Sequence, residues 1–457
     1  MQKSTDESST REHSVGELAS NKSRSLFPLL LKIDMKSKQI PIPAVLLVQA
    51  IVVGAFAVSY ATGSPDTRRQ VHHELTGSIA VPPIVVPRQM PLTVEPLYND
   101  PEVVSDEELA AVLAKIQPRF WSKDDPTKPL PGLKPNFVEH ALRTWWIKSR
   151  FKDPQVMSGE DLKDYLTDHG KWLAAWGGWK RKAAPSLLVD EPDGVSVRWG
   201  KEEGTSVHHD HWLACLTEAG IHLSEPVFTP SSRKTVNDVL QEALRDFRLD
   251  ETETEWSAMA FGFWIAPQRE WVTRTGRKLS FDMLAERLMR GDKRFGVCSG
   301  THRIYSLMVL IRLDDDHHIL SPEMREHAMD HLRSVRDLIM VCQFDDGHWP
   351  SNWSEGAAAL AKPIDDPLYK KVIATGHHLE WLALAPQELH PPREMILKAA
   401  DWVIKTAQEQ TEKEIGERYT FFSHVGNALA LWRKTHPADF WMKWEAEHRQ
   451  VEQPAAL

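Results

Sequence analysis

Cysteine is scarce in this chain, and strand signals are scarcer. Only Cys215, Cys298 and Cys342 stand in 457 residues, with no C-x-x-C pair. That excludes a disulfide scaffold and leaves burial as the default for each thiol. Positive charge is not in excess. The net charge of -9 gives no basis for nucleic-acid binding. Tyrosine is rare, at six against 18 tryptophans. The indoles either fill helix–helix cores or line a binding cavity, and the count leaves both open. Alternating polar and apolar runs are nearly missing. With 42% hydrophobic and 26% charged residues the composition is globular, so the expectation is an all-α protein.

One long apolar run is present. Residues 40–63 carry no charged side chain and are numerous enough to span a bilayer. Lys32, Lys36 and Lys38 precede it, which predicts a cytoplasmic amino terminus and an exported, periplasmic body. Read from Met35 instead of Met1, the same stretch becomes a signal peptide with a small-x-small site at Ser59-Tyr60-Ala61. The readings differ only on whether the body stays anchored through 40–63. The expected organisation is a polar tail at 1–39, an anchor or signal at 40–63, a linker at 64–105 and a helical domain at 106–450. Pro82, Pro83, Pro87, Pro91, Pro96 and Pro101 make the linker an extended, semi-rigid spacer.

Apolar periodicity predicts twelve helices over 106–117, 137–150, 158–176, 206–219, 235–248, 255–265, 279–290, 301–313, 322–343, 372–385, 392–410 and 423–434. Capping residues mark several starts, among them Ser105 with Glu108, Ser158 with Asp161, Ser280 and Ser321. The first member of each pair is amphipathic and the second is apolar on most faces. That alternation predicts six outer–inner hairpins, an (α/α)6 toroid with an inner ring inside an outer one.

The inner helices share a register. Aligning them on His140, His208, Glu255, His302, His377 and His424 brings Trp145, Leu213, Ala260, Leu307, Leu382 and Leu429 into line five residues on. Three steps between the aligned residues are 47 residues; the other two are 68 and 75. A period of this size marks a repeated supersecondary unit. The longest loops, 121–136, 177–205 and 344–371, lead into inner helices, so the aligned polar residues are expected on one rim with them. The amino ends of helices there would favour anionic ligands.

The segment Leu338-Ile-Met-Val-Cys-Gln343-Phe-Asp-Asp-Gly347-His-Trp349 resembles the QW motif of terpenoid cyclases, which share the α/α toroid with protein prenyltransferases. In that family Gln and Trp tie the end of an outer helix to the next turn, so the resemblance implies fold rather than chemistry. The Asp-rich motif of hopene cyclases is missing from the expected rim, since Asp314-Asp315-Asp316 follows an inner helix. The prenyltransferase zinc pattern is missing too, with Gly296 two residues before Cys298. Gly376-His377-His378-Leu379-Glu380-Trp381 is similar to a motif of N-acylglucosamine 2-epimerases. That resemblance implies a sugar-binding His and Glu, with a later histidine, here His424, in proton transfer.

Independently of any family, His377 and Glu380 lie three apart on one helical face. A carboxylate beside an imidazole orients it and raises its basicity, as a general base requires. The candidate catalytic residues are therefore His377, Glu380, His424, His302 and Asp346. The candidate substrate contacts are His208, Glu255, Trp349, Trp353 and His378. His208 and His211, three apart, are the candidate metal ligands. The metal and any cofactor stay unassigned. The leading expectation is an exported toroid enzyme acting on a carbohydrate-like small molecule by acid/base chemistry. A non-catalytic platform for glycan, peptide or protein, and a terpenoid cyclase-like protein, are the alternatives.

Overall fold

The computed structural model describes residues 42–63, 84–177 and 185–448, except 292, 294 and 295. The expected tail at 1–39, the lysines before the apolar run and the linker portion 64–83 lie outside the described residues. The chain divides into two units, residues 1–62 and 63–457. In the first, helix α1 runs Ile42–Thr62 without an Asp, Glu, Lys or Arg. Side chains are described for all of it but residues 42–45 and 59. Among the described residues no helix is long and apolar enough to cross a membrane.

The second unit is mostly helical. Its helices are α2 Asp106–Lys115, α3 Pro135–Trp145, α4 Gly159–Thr167, α5 His169–Trp176, α6 His211–Glu218 and α7 Val236–Asp246. They continue as α8 Glu255–Ile265, α9 Phe281–Met289, α10 Thr301–His317, α11 Pro322–Met340, α12 Ala357–Ala361 and α13 Leu368–Leu384. The last are α14 Arg393–Glu409, α15 Glu412–Glu417, α16 Tyr419–Trp432 and α17 Pro437–Glu447. The expected helix over 158–176 is two. Asp168 leaves the helical region and its carboxylate accepts from the Gly170 and Lys171 N–H groups, capping a new start. Three short antiparallel hairpins, 188–190 with 195–197, 226–228 with 233–235 and 270–272 with 278–280, add strand where none was expected.

Six helices form a closed circuit of contacts. α3 packs on α6, α6 on α8, α8 on α10, α10 on α13, α13 on α16, and α16 back on α3. They are the apolar members of the expected pairs. Every residue of α8 is buried, and α10 is buried from Thr301 through Ile311, as expected of helices without a solvent-facing stripe. Helices α11 and α14 bury one stripe only, Ala328, Leu332, Val335 and Ile339 in the first and Ile396, Ala399, Ala400 and Val403 in the second. Gln343 donates from Nε2 to the carbonyls of Gly347 (2.9 Å) and Met395 (2.8 Å). Gly347 has φ +103, and a Cβ there would meet the Lys398 carbonyl oxygen at 2.3 Å, so only glycine fits the turn.

The described part of the expected linker is no free spacer. Residues 84–104 lie across the carboxyl ends of the helix circuit. The Arg88, Leu92 and Asp100 N–H groups donate to the carbonyls of Trp264 (3.1 Å), Phe263 (3.0 Å) and Trp432 (2.8 Å). Tyr98 Oη donates to the Ala385 carbonyl at 2.8 Å. The last turns of helices leave carbonyls without intrahelical partners, and an extended segment satisfies them where another helix could not. The segment's own Val85, Val103 and Val104 are buried.

Candidate functional site

Each helix of the circuit sends one aromatic ring to the centre: His140 from α3, His211 from α6, Trp256 from α8, His302 from α10, His377 from α13 and His424 from α16. The rings form a closed cycle. Centroid distances are 4.6 Å for His140–His211, 4.3 Å for His211–Trp256, 4.2 Å for Trp256–His302 and 4.1 Å for His302–His377. The cycle closes with His377–His424 at 3.9 Å and His424–His140 at 5.1 Å. All six are at most 2% exposed. Four of the aligned residues, His140, His302, His377 and His424, are thus brought together.

The other two are not in the cycle. Asp210 has φ +55 and starts α6 with a left-handed turn, which turns His211 inward. His208 stays in the preceding loop, half-buried, with Nδ1 2.8 Å from Glu253 Oε2. Glu255 gives way to Trp256. Its carboxylate accepts the N–H groups of Thr254 and Val297, both at 2.8 Å, so it holds backbone rather than facing a substrate.

A second layer lies one turn further along the same helices. Arg143, Tyr305, Glu380 and Asn427 each follow a ring histidine by three residues and so share its face. The Arg143 guanidinium joins two carboxylates: Nε is 2.7 Å from Glu218 Oε2, and Nη1 is 2.8 Å from Glu380 Oε1. Nη1 also lies 3.0 Å from His424 Nδ1. Glu380 Oε2 faces His377 Nδ1 at 2.9 Å and His424 Nδ1 at 3.2 Å. Tyr305 Oη donates to Glu218 Oε1 at 3.1 Å. On the far side of the cycle Glu139 meets His211 Nδ1, and His211 Nε2 lies 3.2 Å from Cys215 Sγ.

Burial sets the protonation of these groups. It lowers the pKa of His140, His211, His302, His377 and His424, because a cationic imidazole loses its hydration there. The five rings are neutral. Burial alone would raise both carboxylates. For Glu139 it wins and raises the pKa to about 8. For Glu380 the Arg143 charge and the bond from His377 outweigh it, and the pKa falls below the ordinary value.

The opening to this layer is not where the loops pointed. A cleft of about 80 Å³ reaches Arg143, Glu218, Tyr305 and Glu380 from the carboxyl ends of the helices, with Leu384, Leu431 and strap residues Leu92–Val94 on its walls. The expected rim is filled at the amino ends of α10 and α13, whereas a cavity of about 910 Å³ opens at the amino end of α3, lined by Lys134, Pro135, Glu202, Glu203 and Val207. Trp349 and Trp353 are fully buried, donating to the carbonyls of Ile339 (2.9 Å) and Ser299 (3.1 Å). Both pack on His378, whose Nδ1 accepts from Trp381 at 3.0 Å and whose pKa burial lowers to about 3. His377 is the tenth residue of α13 rather than its start, since the helix begins at Leu368. Asp346 lies apart, its side chain 57% exposed and paired with His348 at 2.6 Å. Asp346, Trp349 and Trp353 therefore build the closing turn, His378 packs on it from α13, and none of the four is a member of the central ring.

Sequence reasoning missed Glu139, Arg143, Glu218, Trp256 and Tyr305. The signal for Arg143 and Tyr305 was present, three residues after an aligned histidine. No such rule selects Trp256 over Glu255. Among the described residues two groups bring donor atoms within 4.8 Å of one another, Cys298 with His302 and His377, and His377 with Glu380 and His424. No protein-family model, no curated protein and no solved structure matches this chain.

Proposed function

We propose that this chain is an (α/α)6-toroid enzyme that acts by acid/base chemistry on a small, polar, carbohydrate-like substrate. The carrying observation is the pair of buried carboxylates, Glu380 with its pKa lowered and Glu139 with its pKa raised to about 8, on opposite sides of a ring of neutral imidazoles. Titratable groups whose surroundings push them apart supply an acid and a base at one pH. Glu380, at the cleft floor, is the base. His377 and His424 orient it and pass its proton on. Arg143 and Tyr305 lie where charge would develop on a bound oxygen. Glu139 is the proton reserve beyond His211 and His140. Reaction type stays open between epimerisation, elimination and hydrolysis.

A specific observation favours the alternative of a non-catalytic binding platform. The cleft of about 80 Å³ is well below the roughly 300 Å³ at which ligand pockets begin. A sugar enters only if the strap at 84–104 lifts or side chains move. The terpenoid cyclase reading calls for a long apolar tunnel and gains no support from a short cleft floored by Arg143, Glu218 and Glu380.

The proposed address is outside the cytoplasm, anchored through residues 40–63 if these are uncleaved. No described helix is long and apolar enough to cross a membrane, so the support is the sequence's own: residues 40–63 carry no charged side chain and follow Lys32, Lys36 and Lys38. A cytoplasmic reporter that stays active when fused after residue 100 would count against it.

The functional test is a screen of the full chain on small sugars and sugar acids in D2O, followed by NMR. Turnover or solvent deuterium in the product, reduced roughly 10²-fold or more in Glu380→Gln at unchanged fold, supports the enzyme. Binding of a sugar that no condition turns over, with equal affinity in the variant, supports the platform.

A further inference from the structure

We propose that Cys298, His302 and His377 bind one divalent transition-metal ion, zinc by their donor chemistry, with Glu380 orienting His377 from behind. The inference does not rest on the acid/base reading, because metal binding is measured directly.

Three observations carry it. The first is proximity: one donor atom from each of the three side chains lies within 4.8 Å of the others. Tetrahedral zinc with bonds of about 2.0–2.3 Å needs its ligands roughly 3.3–3.7 Å apart, so side-chain rotations of about 1 Å complete the site. One soft thiolate and two imidazoles suit zinc and leave a fourth position for water or a small ligand.

The second is unsatisfied nitrogen. Both ring nitrogens of His302, and Nε2 of His377, have no hydrogen-bond partner among the described residues, although both side chains are at most 1% exposed. Buried polar atoms are paired as a rule, and a metal ion pairs one nitrogen of His302 together with His377 Nε2. His377 is already set for it: Nδ1 faces Glu380 at 2.9 Å, so the proton belongs on Nδ1 and the Nε2 lone pair is free. A carboxylate behind a ligating imidazole is the usual outer shell of zinc sites.

The third is the backbone that presents Cys298. Cys298 and Ser299 have φ +52 and +59, and Gly300 follows at +83. Left-handed non-glycine residues are strained and persist where surrounding structure imposes them, which is often at functional sites. Here the imposing bonds are known. Glu255 Oε1 accepts the Val297 N–H, and Trp353 Nε1 donates to the Ser299 carbonyl. Gly296 is required as well, since a Cβ would meet Glu255 Oε1 at 2.6 Å. Glu255 and Trp353 thereby become positioning residues for the thiol.

The competing group of His377, Glu380 and His424 is a poorer cation site. Glu380 Oε2 is engaged by both Nδ1 atoms, and the Arg143 guanidinium stands 2.8 Å from Oε1, so a cation there meets a fixed positive charge.

The test uses full-length protein, stripped with chelator and titrated with Co²⁺ or Zn²⁺ alone. Expected are one ion per chain by elemental analysis and a thiolate-to-cobalt charge-transfer band. Cys298→Ser should abolish the band, and His302→Gln should weaken binding at least tenfold. Glu380→Gln should weaken it roughly 10–100-fold, the range for an outer-shell partner. His208→Ala should leave stoichiometry and band unchanged. The proposal is overturned if no ion binds, if cobalt binds without the band, if Cys298→Ser binds as the parent does, or if His208→Ala abolishes binding. Should His302→Gln fail to fold, the Cys298→Ser spectrum decides, because serine nearly keeps the size of that half-buried side chain.

Discussion

Glu380 and Glu139 are both fully buried beside a histidine of the central ring, yet their proton affinities diverge. Glu139 meets His211, and burial outweighs the Ser206 bond and the nearby His208, so its pKa rises to about 8. Glu380 has two imidazole nitrogens and the Arg143 guanidinium, and its pKa falls. The difference teaches that burial sets a common upward push and that one shared counter-charge reverses it. The five histidines are lowered chiefly by burial, and the Arg143 charge adds to that push.

The largest expected effect is acid unfolding. The ring histidines have pKa values lowered from 6.5. A lowered folded pKa contributes stability that is fully present above the unfolded value and lost as pH falls towards the folded one. Below pH 6.5 each neutral ring can subtract up to about 1.4 kcal/mol per pH unit. Denaturant titrations at pH 7.5, 6.5 and 5.5 should show this steep, accelerating loss. A flat profile would mean the rings are hydrated or already protonated.

Next comes Arg143→Met, which strands Glu218 and Glu380 without their shared cation. Removing one partner of a buried ion pair costs about 3–5 kcal/mol. In the variant Glu380 should behave like Glu139, titrating above the ordinary carboxylate range. Unchanged stability in chemical denaturation would break the comparison.

His377→Ala should cost about 2–3 kcal/mol, the scale for a buried, hydrogen-bonded group. A water-exposed rim position would cost less, but the side chain is fully buried between His302 and His424. Thermal melts of His377→Ala beside the loop variant His208→Ala separate the two placements; equal, small losses would favour the rim.

The smallest effect at neutral pH is expected for Glu139→Gln. It removes an acid whose folded pKa is raised. The stability tied to that group is fully present below the unfolded pKa near 4.5 and lost as pH rises through about 8. The variant should therefore lose less stability than the parent between pH 6.5 and 8. The weakened bond to His211 opposes this, leaving a net change within about 1 kcal/mol at pH 7. Parallel slopes for variant and parent would show that Glu139 ionises as freely as Glu380.

Much of the helix pattern was legible. The expected helix at 255–265 coincides with the observed one, and 322–343, 392–410 and 423–434 depart by a few residues, because apolar periodicity and capping are local properties. The common depth of His140, His302, His377 and His424 was legible for the same reason. The strap was not, since proline content reports an extended backbone but not what it lies against. Nor was the opening that reaches Arg143 and Glu380: long loops suggested a mouth at the amino ends, whereas buried Trp349 and Trp353 fill that end beside α10 and α13 and the cleft enters from the carboxyl ends.

The amino-acid sequence by itself determined where most of the long helices lie, which of them lack a solvent face, and that histidines recur at one level. These follow from contacts three or four residues apart. Tertiary structure alone decided that His211 rather than His208, and Trp256 rather than Glu255, complete the ring, and that Arg143 reverses the ionisation of Glu380. Those outcomes depend on how each helix is rotated about its axis. The rotation is fixed by packing six helices against one another and by single turns such as Asp210 at φ +55, and a shift of one residue turns a different side chain towards the centre.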